Sequence, residues 1–202
     1  FLVTPDGGVG ARNGVHCVSI EHKMGIKASA TCVMNFENAV GFLVGKEHQG
    51  IQHMFTMMNA ARLAVGFEGL GLAEYATQNA IAYAKERKQG RPLTRKGGAT
   101  VDAMPIIRHA DVRRMLFTMK AYTEGCRMLM YEALKQVDLS GYHPDARARE
   151  AATDYVDLLT PVVKGFGTDV GFEVASLGMQ VYGGAGYIRE AGMEQTARDA
   201  RI

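Results

Sequence analysis

The sequence predicts an α+β fold in which part of an antiparallel β-sheet is followed by an antiparallel helical bundle of the four-helix type. Three observations support this prediction. Short runs of alternating apolar and polar residues occupy positions 1–45, the apolar residues after Gly50 recur every three or four positions, and glycine- or proline-rich breaks separate the helical segments. We place the boundary so that residues 1–47 form the β part and residues 48–202 form the helical part.

The β part contains three predicted strands that are separated by glycine-rich turns. The strands are residues 1–3, 15–20 and 31–36. So few strands would leave the edges of the sheet without hydrogen-bond partners, and we therefore expect further strands before Phe1 or from a partner chain. Because the chain opens inside a strand-like run and without an initiator Met, we also expect it to be part of a longer protein.

The first predicted helix covers residues 50–88, and the loop that follows it covers residues 89–105. Gly66, Gly69 and Gly71 interrupt the helix, at a cost of about 1 kcal/mol each in helix propensity. We therefore expect another helix or a ligand to approach closely at the positions where these side chains are missing.

Three further helices are predicted. The second is read from the apolar stripe of residues 112–133 and stops before Asp138, and the third begins after Pro144. Pro161 falls inside the third helix, where it produces either a kink or a local restart. A short fourth helix follows Glu190.

Length and composition exclude several classes of protein. The chain has 202 residues and a mass of 21.9 kDa, with 47% apolar and 22% charged residues, as in a globular domain or a piece of one. The net charge of +2 is too small to predict nucleic acid as a partner. Polar residues interrupt every apolar stretch well before the roughly 20 residues that cross a bilayer, so we expect no membrane partner.

Cysteine and histidine spacing argues against disulfides and metal. Cys17, Cys32 and Cys126 are widely separated and form no C-x-x-C pair, so the sequence predicts neither a disulfide framework nor a zinc site. The six histidines show no ligand spacing, and we assign no metal-binding residue. Free thiols indicate a reducing compartment, which we expect to be the cytoplasm, or the mitochondrial matrix in a eukaryote.

Three features suggest a ligand, and each also has a purely structural interpretation. The glycines of residues 183–186 either cap the third helix or leave backbone N–H groups open to a phosphate. Residues 86–91 either place cations at a helix C-terminus or form an arginine fork for a pyrophosphate. Arg62 lies beside an apolar stripe, where an unpaired guanidinium group is costly to bury, and it therefore needs a carboxylate, a carbonyl or a ligand.

Five segments, taken in order, resemble the acyl-CoA dehydrogenase family of flavoproteins. They are residues 23–31 (KMGIKASAT), 59–66 (NAARLAVG), 83–89 (YAKERKQ), 180–187 (QVYGGAGY) and 198–202 (RDARI). The long linker after Arg87 and the segment at 109–116 (HADVRRML) are similar to the branch that contains 3-methylmercaptopropionyl-CoA dehydrogenase. The resemblance implies that residues 1–47 are the later strands of a middle β-domain and residues 48–202 a truncated C-terminal helical bundle domain.

The resemblance also implies FAD bound at a subunit interface, and hence a homodimer or homotetramer. Arg87 and Gln89 match the family's contacts to the flavin diphosphate. Gln180, Gly183 and Gly184 match the strip that meets the FAD of the partner subunit.

Two further positions match the substrate side of the family's site, and two depart from its pattern. Ser29 matches a β-domain position beside substrate and flavin, and Arg62 matches the helix arginine at the acyl-CoA cleft. His109 stands where simpler members have a glutamine opposite the flavin, and Gly90 stands where the family has an aromatic residue.

The reaction that the resemblance implies is α,β-dehydrogenation of an acyl-CoA thioester to a 2-enoyl-CoA, with electron-transfer flavoprotein as the electron acceptor. In most members the catalytic base, a glutamate, follows the segment matched by residues 198–202. Other members carry it at the position of Ala61, whose methyl group cannot accept a proton. We therefore assign no catalytic residue in this chain and expect residues 1–202 alone to be inactive and to bind FAD weakly or not at all.

Two alternatives remain open at the level of the sequence. A non-catalytic flavoprotein of the same fold would bind duplex DNA through a basic stripe made of Arg108, Arg113, Arg114 and Lys120. A structural oligomerisation bundle would have no cleft between the first helix and the region of Gly183.

Overall fold

A computed structural model describes residues 2–91 and 102–201 of the chain. The chain forms two compact units, Phe1–Thr56 and Met57–Ile202. The domain boundary predicted at residues 47 and 48 stays a prediction.

The first unit contains an antiparallel pair of strands, β1 (Val15–Ile20) and β2 (Cys32–Phe36). Both strands were predicted from the alternation of their residues, and both are confirmed. The strand predicted at residues 1–3 is wrong for the described residues of that run, and Phe1 lies outside them. Val3 forms only an isolated bridge with Val9, because a turn with Gly7 at φ +82° folds the chain back after a few residues.

Four α-helices were predicted and four are present in the described ranges: α1 (Gly50–Glu86), α2 (Ala110–Tyr142), α3 (Ala146–Tyr182) and α4 (Met193–Ala200). The fold class is therefore confirmed as a mostly helical structure with a small antiparallel sheet. The α3 helix runs through Pro161 as one helix, so no restart occurs there.

The predicted end of the second helix before Asp138 is wrong, because α2 continues to Tyr142. The helix ends instead at His143, which has extended backbone angles (φ −64°, ψ 135°). His143 precedes Pro144, and the proline ring disfavours helical angles in the residue before it. Asp145 is the N-cap of the next helix, and its side chain accepts a hydrogen bond from the Arg147 backbone N–H at 3.0 Å.

The α1 and α3 helices touch through their backbones. A methyl group added to Gly69 would overlap the Gly167 carbonyl oxygen, and one added to Gly171 would lie 2.8 Å from the Gly69 carbonyl oxygen. The predicted close approach at Gly66 and Gly69 is therefore confirmed, whereas Gly71 has no atom within 4 Å of its added methyl group. Successive contacts advance along both helices in the same direction, so α1 and α3 are parallel.

The α2 helix runs antiparallel to α1 and completes the core. The buried hydroxyl groups of Thr77 and Thr123 are 3.1 Å apart in a hydrogen bond, and Arg127 forms an ion pair with Glu74. Three methionines, Met119, Met130 and Met193, are fully buried in this core. The core therefore lies between the three long helices, with α4 closing one side.

Replacing Gly69 with Ala should lower the free energy of unfolding of the full-length protein by about 1–3 kcal/mol, because the new methyl group must push α3 away. Gly71→Ala is the matched control and should raise that free energy by up to about 1 kcal/mol through helix propensity. Chemical denaturation of both variants measures the two effects. Equal effects of the two substitutions would contradict the backbone contact.

Candidate functional site

The segment that follows α1 is held in place by residues 104–109. The Gln89 backbone N–H donates to the Met104 carbonyl at 3.0 Å, and the Ile106 N–H donates to the Arg87 carbonyl at 2.8 Å. The His109 ring nitrogen Nε2 lies 2.7 Å from the Gln89 carbonyl oxygen. The structure thus brings three predicted cofactor residues together, namely Arg87, Gln89 and His109. Most of the predicted loop between them, residues 92–101, lies outside the described residues.

The other predicted cofactor strip forms the end of α3. Gly183 caps the helix with φ +60° and ψ −136°, a conformation that side chains disfavour. Gly184 is exposed and has no atom within 4 Å of an added methyl group. The capping interpretation therefore explains Gly183, and nothing in the described chain requires glycine at position 184. Gln180 is exposed one turn earlier on the same helix.

A pair of stacked tyrosines connects these two groups of residues. The rings of Tyr83 and Tyr182 stack with centroids 4.1 Å apart and planes at 12°. Arg87 follows Tyr83 by one helical turn, and its backbone N–H donates to the Tyr83 carbonyl at 2.8 Å. Gly183 directly follows Tyr182. Arg87 and the two glycines therefore lie at the same end of the helical unit.

Burial at this contact changes the ionisation of Tyr182. Desolvation raises the pKa of its hydroxyl group above the ordinary value, and the hydroxyl donates to the Asn79 carbonyl at 3.4 Å. Sequence reasoning did not single out either tyrosine as part of the site. The packing of α1 on α3 is what gives both residues their role.

Arg62 lines a cavity between α1, α2 and α3. The cavity has a volume of about 460 Å³, and Val137, Asp157 and Thr160 also line it. Arg62 is half-buried, and no hydrogen bond or ion pair holds its guanidinium group within residues 2–91 and 102–201. The sequence predicted a carboxylate, a carbonyl or a ligand as the partner of Arg62, and the described residues place a cavity beside it.

Ser29 lies in the first unit, in the connection between β1 and β2. Its side chain is exposed, and its backbone N–H donates to the Ile26 carbonyl at 3.2 Å. Lys23 donates from its ammonium group to the Ser29 carbonyl. These bonds shape the turn in which the predicted substrate residue is presented.

A β-bulge brings two cysteines to the same face of the sheet. Ile20 pairs with Cys32, and an unbroken register would place Cys17 on the opposite face. The register shifts between Cys17 and Ser19, so Cys17 pairs with Met34 and shares a face with Cys32. A hydrogen bond with the Cys32 thiol, assisted by desolvation, raises the pKa of the Cys17 thiol.

Because a raised pKa leaves less thiolate at pH 8, Cys17 should react slowly with iodoacetamide. The variant Cys32→Ala removes the largest cause of the shift, and Cys17 should then be alkylated faster at pH 8. Mass spectrometry of the Cys17 peptide from the full-length protein gives the rate. The buried Cys126, whose pKa burial raises, is an internal control that should not change. An unchanged or slower rate at Cys17 would contradict the contact.

The basic stripe on α2 is partly neutralised by acids on the same helix. Arg114 pairs with Asp111 at 2.8 Å, and Lys120 pairs with Glu124 at 3.4 Å. The described residues contain no cluster of three or more potential metal ligands. Among the same residues no helix has the length and apolar character needed to span a membrane.

The comparisons with known proteins give a family match for most of the chain. Residues 48–202 match the family described as acyl-CoA dehydrogenase, C-terminal domain. The 3-methylmercaptopropionyl-CoA dehydrogenase of Ruegeria pomeroyi is 48% identical over 202 residues, which are 100% of this chain and 34% of that protein. The chain therefore spans about a third of the length of this relative.

Two solved structures support the same assignment. An acyl-CoA dehydrogenase complexed with FAD from Bacillus anthracis has a TM-score of 0.78 and 27% identity, over 94% of this chain and 32% of that chain. A structure described as the electron transferring flavoprotein of Acidaminococcus fermentans has a TM-score of 0.74 and 27% identity, over 94% and 44% of the two chains.

The chain belongs to the acyl-CoA dehydrogenase family. The resemblance seen in its five segments is confirmed, including the likeness to the 3-methylmercaptopropionyl-CoA dehydrogenase branch. Enzymes of this family are FAD-dependent oxidoreductases, which confirms the predicted cofactor at the level of the family. The individual site residues stay predictions.

Proposed function

We propose that the full-length protein is an FAD-dependent acyl-CoA dehydrogenase that oxidises the Cα–Cβ bond of an acyl-CoA thioester to give a 2-enoyl-CoA. The observation that supports this most strongly is the meeting of Arg87 and Gly183–Gly184 at one end of the helical unit. The stacked Tyr83 and Tyr182 rings hold these elements together.

The residues at this end fit the diphosphate of a dinucleotide. Arg87 is exposed and offers the fixed fork of guanidinium donors that suits phosphate oxygens. The open space around Gly184 lets a ligand reach the backbone, where a larger residue would stand in the way. The exposed Gln180 adds an amide group beside this strip.

In this proposal, Arg87 and Gln89 bind the diphosphate of a partner subunit's FAD, His109 belongs to the same site, and Gln180, Gly183 and Gly184 contact that same FAD. When bound, FAD supplies the acceptor for the hydride that leaves the β-carbon of the substrate. The chain's own residues bind and orient the cofactor.

The length of α1 supports an oligomer. Arg62 and Arg87 are 25 positions apart on and just after this helix, which corresponds to about 37 Å at 1.5 Å per residue. The proposed substrate residue therefore lies far from the proposed diphosphate residue. We assign Arg62 and Arg87 to the sites of two different FAD molecules, so that a homodimer or homotetramer completes each site.

Arg62 is the residue that we propose to bind the acyl-CoA substrate from the helical unit. Its half-buried guanidinium group faces a cavity and has no partner among the described residues. A buried cation without a partner is costly, and an anionic or carbonyl-bearing ligand would remove that cost. Ser29 is the proposed substrate contact from the first unit.

We further propose that residues 1–202 alone are inactive. Ala61 stands where some family members carry the base, and its methyl group accepts no proton. The proposed electron acceptor is an electron-transfer flavoprotein, and the proposed location is the cytoplasm, or the mitochondrial matrix in a eukaryote.

Two substitutions test the proposed diphosphate contacts in the full-length protein. Arg87→Ala should weaken FAD binding about tenfold or more, because a hydrogen bond to a charged group is worth about 1.5–3 kcal/mol. Gly184→Ala should also weaken binding, because the methyl group fills space that the cofactor needs, while the unfolding free energy stays within about 0.5 kcal/mol.

Quenching of FAD fluorescence by the apoprotein measures both affinities. Gly71→Ala is the control for Gly184→Ala, because it also adds a methyl group where the chain leaves open space. Unchanged FAD affinity in both site variants would show that the diphosphate binds elsewhere.

Arg62→Ala should lower kcat/KM for acyl-CoA about tenfold or more and leave FAD content unchanged, because the guanidinium group acts on substrate. Lys164→Ala removes an exposed cation from α3 and should change neither quantity. Turnover with a dye acceptor gives kcat/KM, and flavin absorbance gives the FAD content. Wild-type turnover by the Arg62→Ala variant would show that Arg62 does not bind the substrate.

The DNA-binding alternative has its own test. Duplex binding that weakens steeply with salt in a gel-shift assay, with no acyl-CoA turnover, would replace the proposed function. The acids paired with Arg114 and Lys120 on α2 argue for a solvated helix face instead.

A further inference from the structure

The His109 ring lies against Gly90, directly after the proposed FAD contact Gln89. A methyl group added to Gly90 would lie 3.2 Å from Cε1 and 3.3 Å from Nε2 of the His109 ring. The ring therefore leaves little room for a side chain at position 90.

The His109 ring also binds the segment that carries the proposed FAD contacts. Its Nε2 atom lies 2.7 Å from the Gln89 carbonyl oxygen, and a carbonyl only accepts, so Nε2 carries the hydrogen in this bond. Gly90, directly beyond that carbonyl, has φ +74°, which favours glycine. His109 thus fixes the backbone of Gln89, which lies just after α1, from a position outside that helix.

The rest of the segment depends on neighbouring backbone bonds. The Ile106 N–H holds the Arg87 carbonyl at 2.8 Å, and the His109 N–H holds the Ile106 carbonyl at 2.9 Å. A bridge joins Lys88 and Pro105. His109 is the residue whose side chain closes this set of bonds, because it reaches back from the N-terminus of α2 to the chain that leaves α1.

We propose that His109 is a positioning residue that holds Arg87 and Gln89 in the orientation that binds the FAD diphosphate. This inference rests on the proposed function. It predicts that the effect of His109 on FAD affinity passes through the Arg87–Gln89 segment.

A double-mutant cycle in the full-length protein tests the inference. His109→Ala should weaken FAD binding about three- to tenfold, the effect of one lost neutral hydrogen bond. In the Arg87→Ala background, the same change should weaken binding less than twofold further, because residues that act as a unit are not additive. FAD fluorescence quenching measures all four affinities.

Two further variants separate positioning from general stability. His109→Gln keeps a side-chain N–H donor and should recover most of the wild-type FAD affinity. His143→Ala is the matched control, since it removes a histidine from the other end of α2 and should leave FAD affinity unchanged. Thermal unfolding of each variant confirms that the fold is intact.

The outcomes distinguish the inference from the proposed function. Additive losses from His109→Ala and Arg87→Ala would overturn the positioning role, because His109 would then act on FAD by itself. Failure of His109→Gln to restore affinity would overturn it as well. A wild-type full-length protein that binds no FAD would instead contradict the proposed function.

Discussion

Backbone contact between α1 and α3 sets the geometry of the helical unit. At Gly69, Gly167 and Gly171 the two helices leave no room for a side chain, so each helix can take only one position along the other. Such a contact fixes both the separation and the register of the helices, because any shift would bring a larger residue into the crossing. The parallel direction of α1 and α3 then carries this register to their C-terminal ends.

The consequence for function appears at those ends. With the register fixed at the glycines, Tyr83 and Tyr182 meet as a stacked pair, and the residues that follow each of them are brought together. Arg87 supplies charge and Gly184 leaves open space beside the backbone, while the Gly183 N–H already donates to the Gln180 carbonyl. Neither feature alone distinguishes a ligand site from a helix C-terminus, and their convergence is what favours a diphosphate. A guanidinium group suits phosphate oxygens, and the open space at Gly184 lets a ligand lie close to the chain.

The sequence predicted the helices of this fold better than the contacts between them. Apolar periodicity located the three long helices, since burial of one face dominates that signal, but it stopped α2 before Asp138 although the chain becomes non-helical only before Pro144. Gly66 and Gly69 correctly predicted the close approach of another helix, which is α3. Residues that depend on three-dimensional packing left no sequence signal of their role.

Two residue pairs show why contacts between distant positions cannot be predicted from sequence patterns. The hydrogen bond from His109 to the Gln89 carbonyl joins residues that are 20 positions apart across a loop, so no local periodicity encodes it. The neighbouring thiols of Cys17 and Cys32 depend on one extra residue in β1, which strict alternation would miss. Gly90 was noticed as a departure from the family, and its physical reason became visible only beside the His109 ring.

A crystal structure of the full-length protein with bound FAD tests the central claim most directly. The account predicts diphosphate oxygens within hydrogen-bond distance of the Arg87 guanidinium group, with the strip from Gln180 to Gly184 against the cofactor of a neighbouring subunit. A diphosphate bound at another surface, with Arg87 and Gly184 left in solvent, would contradict it.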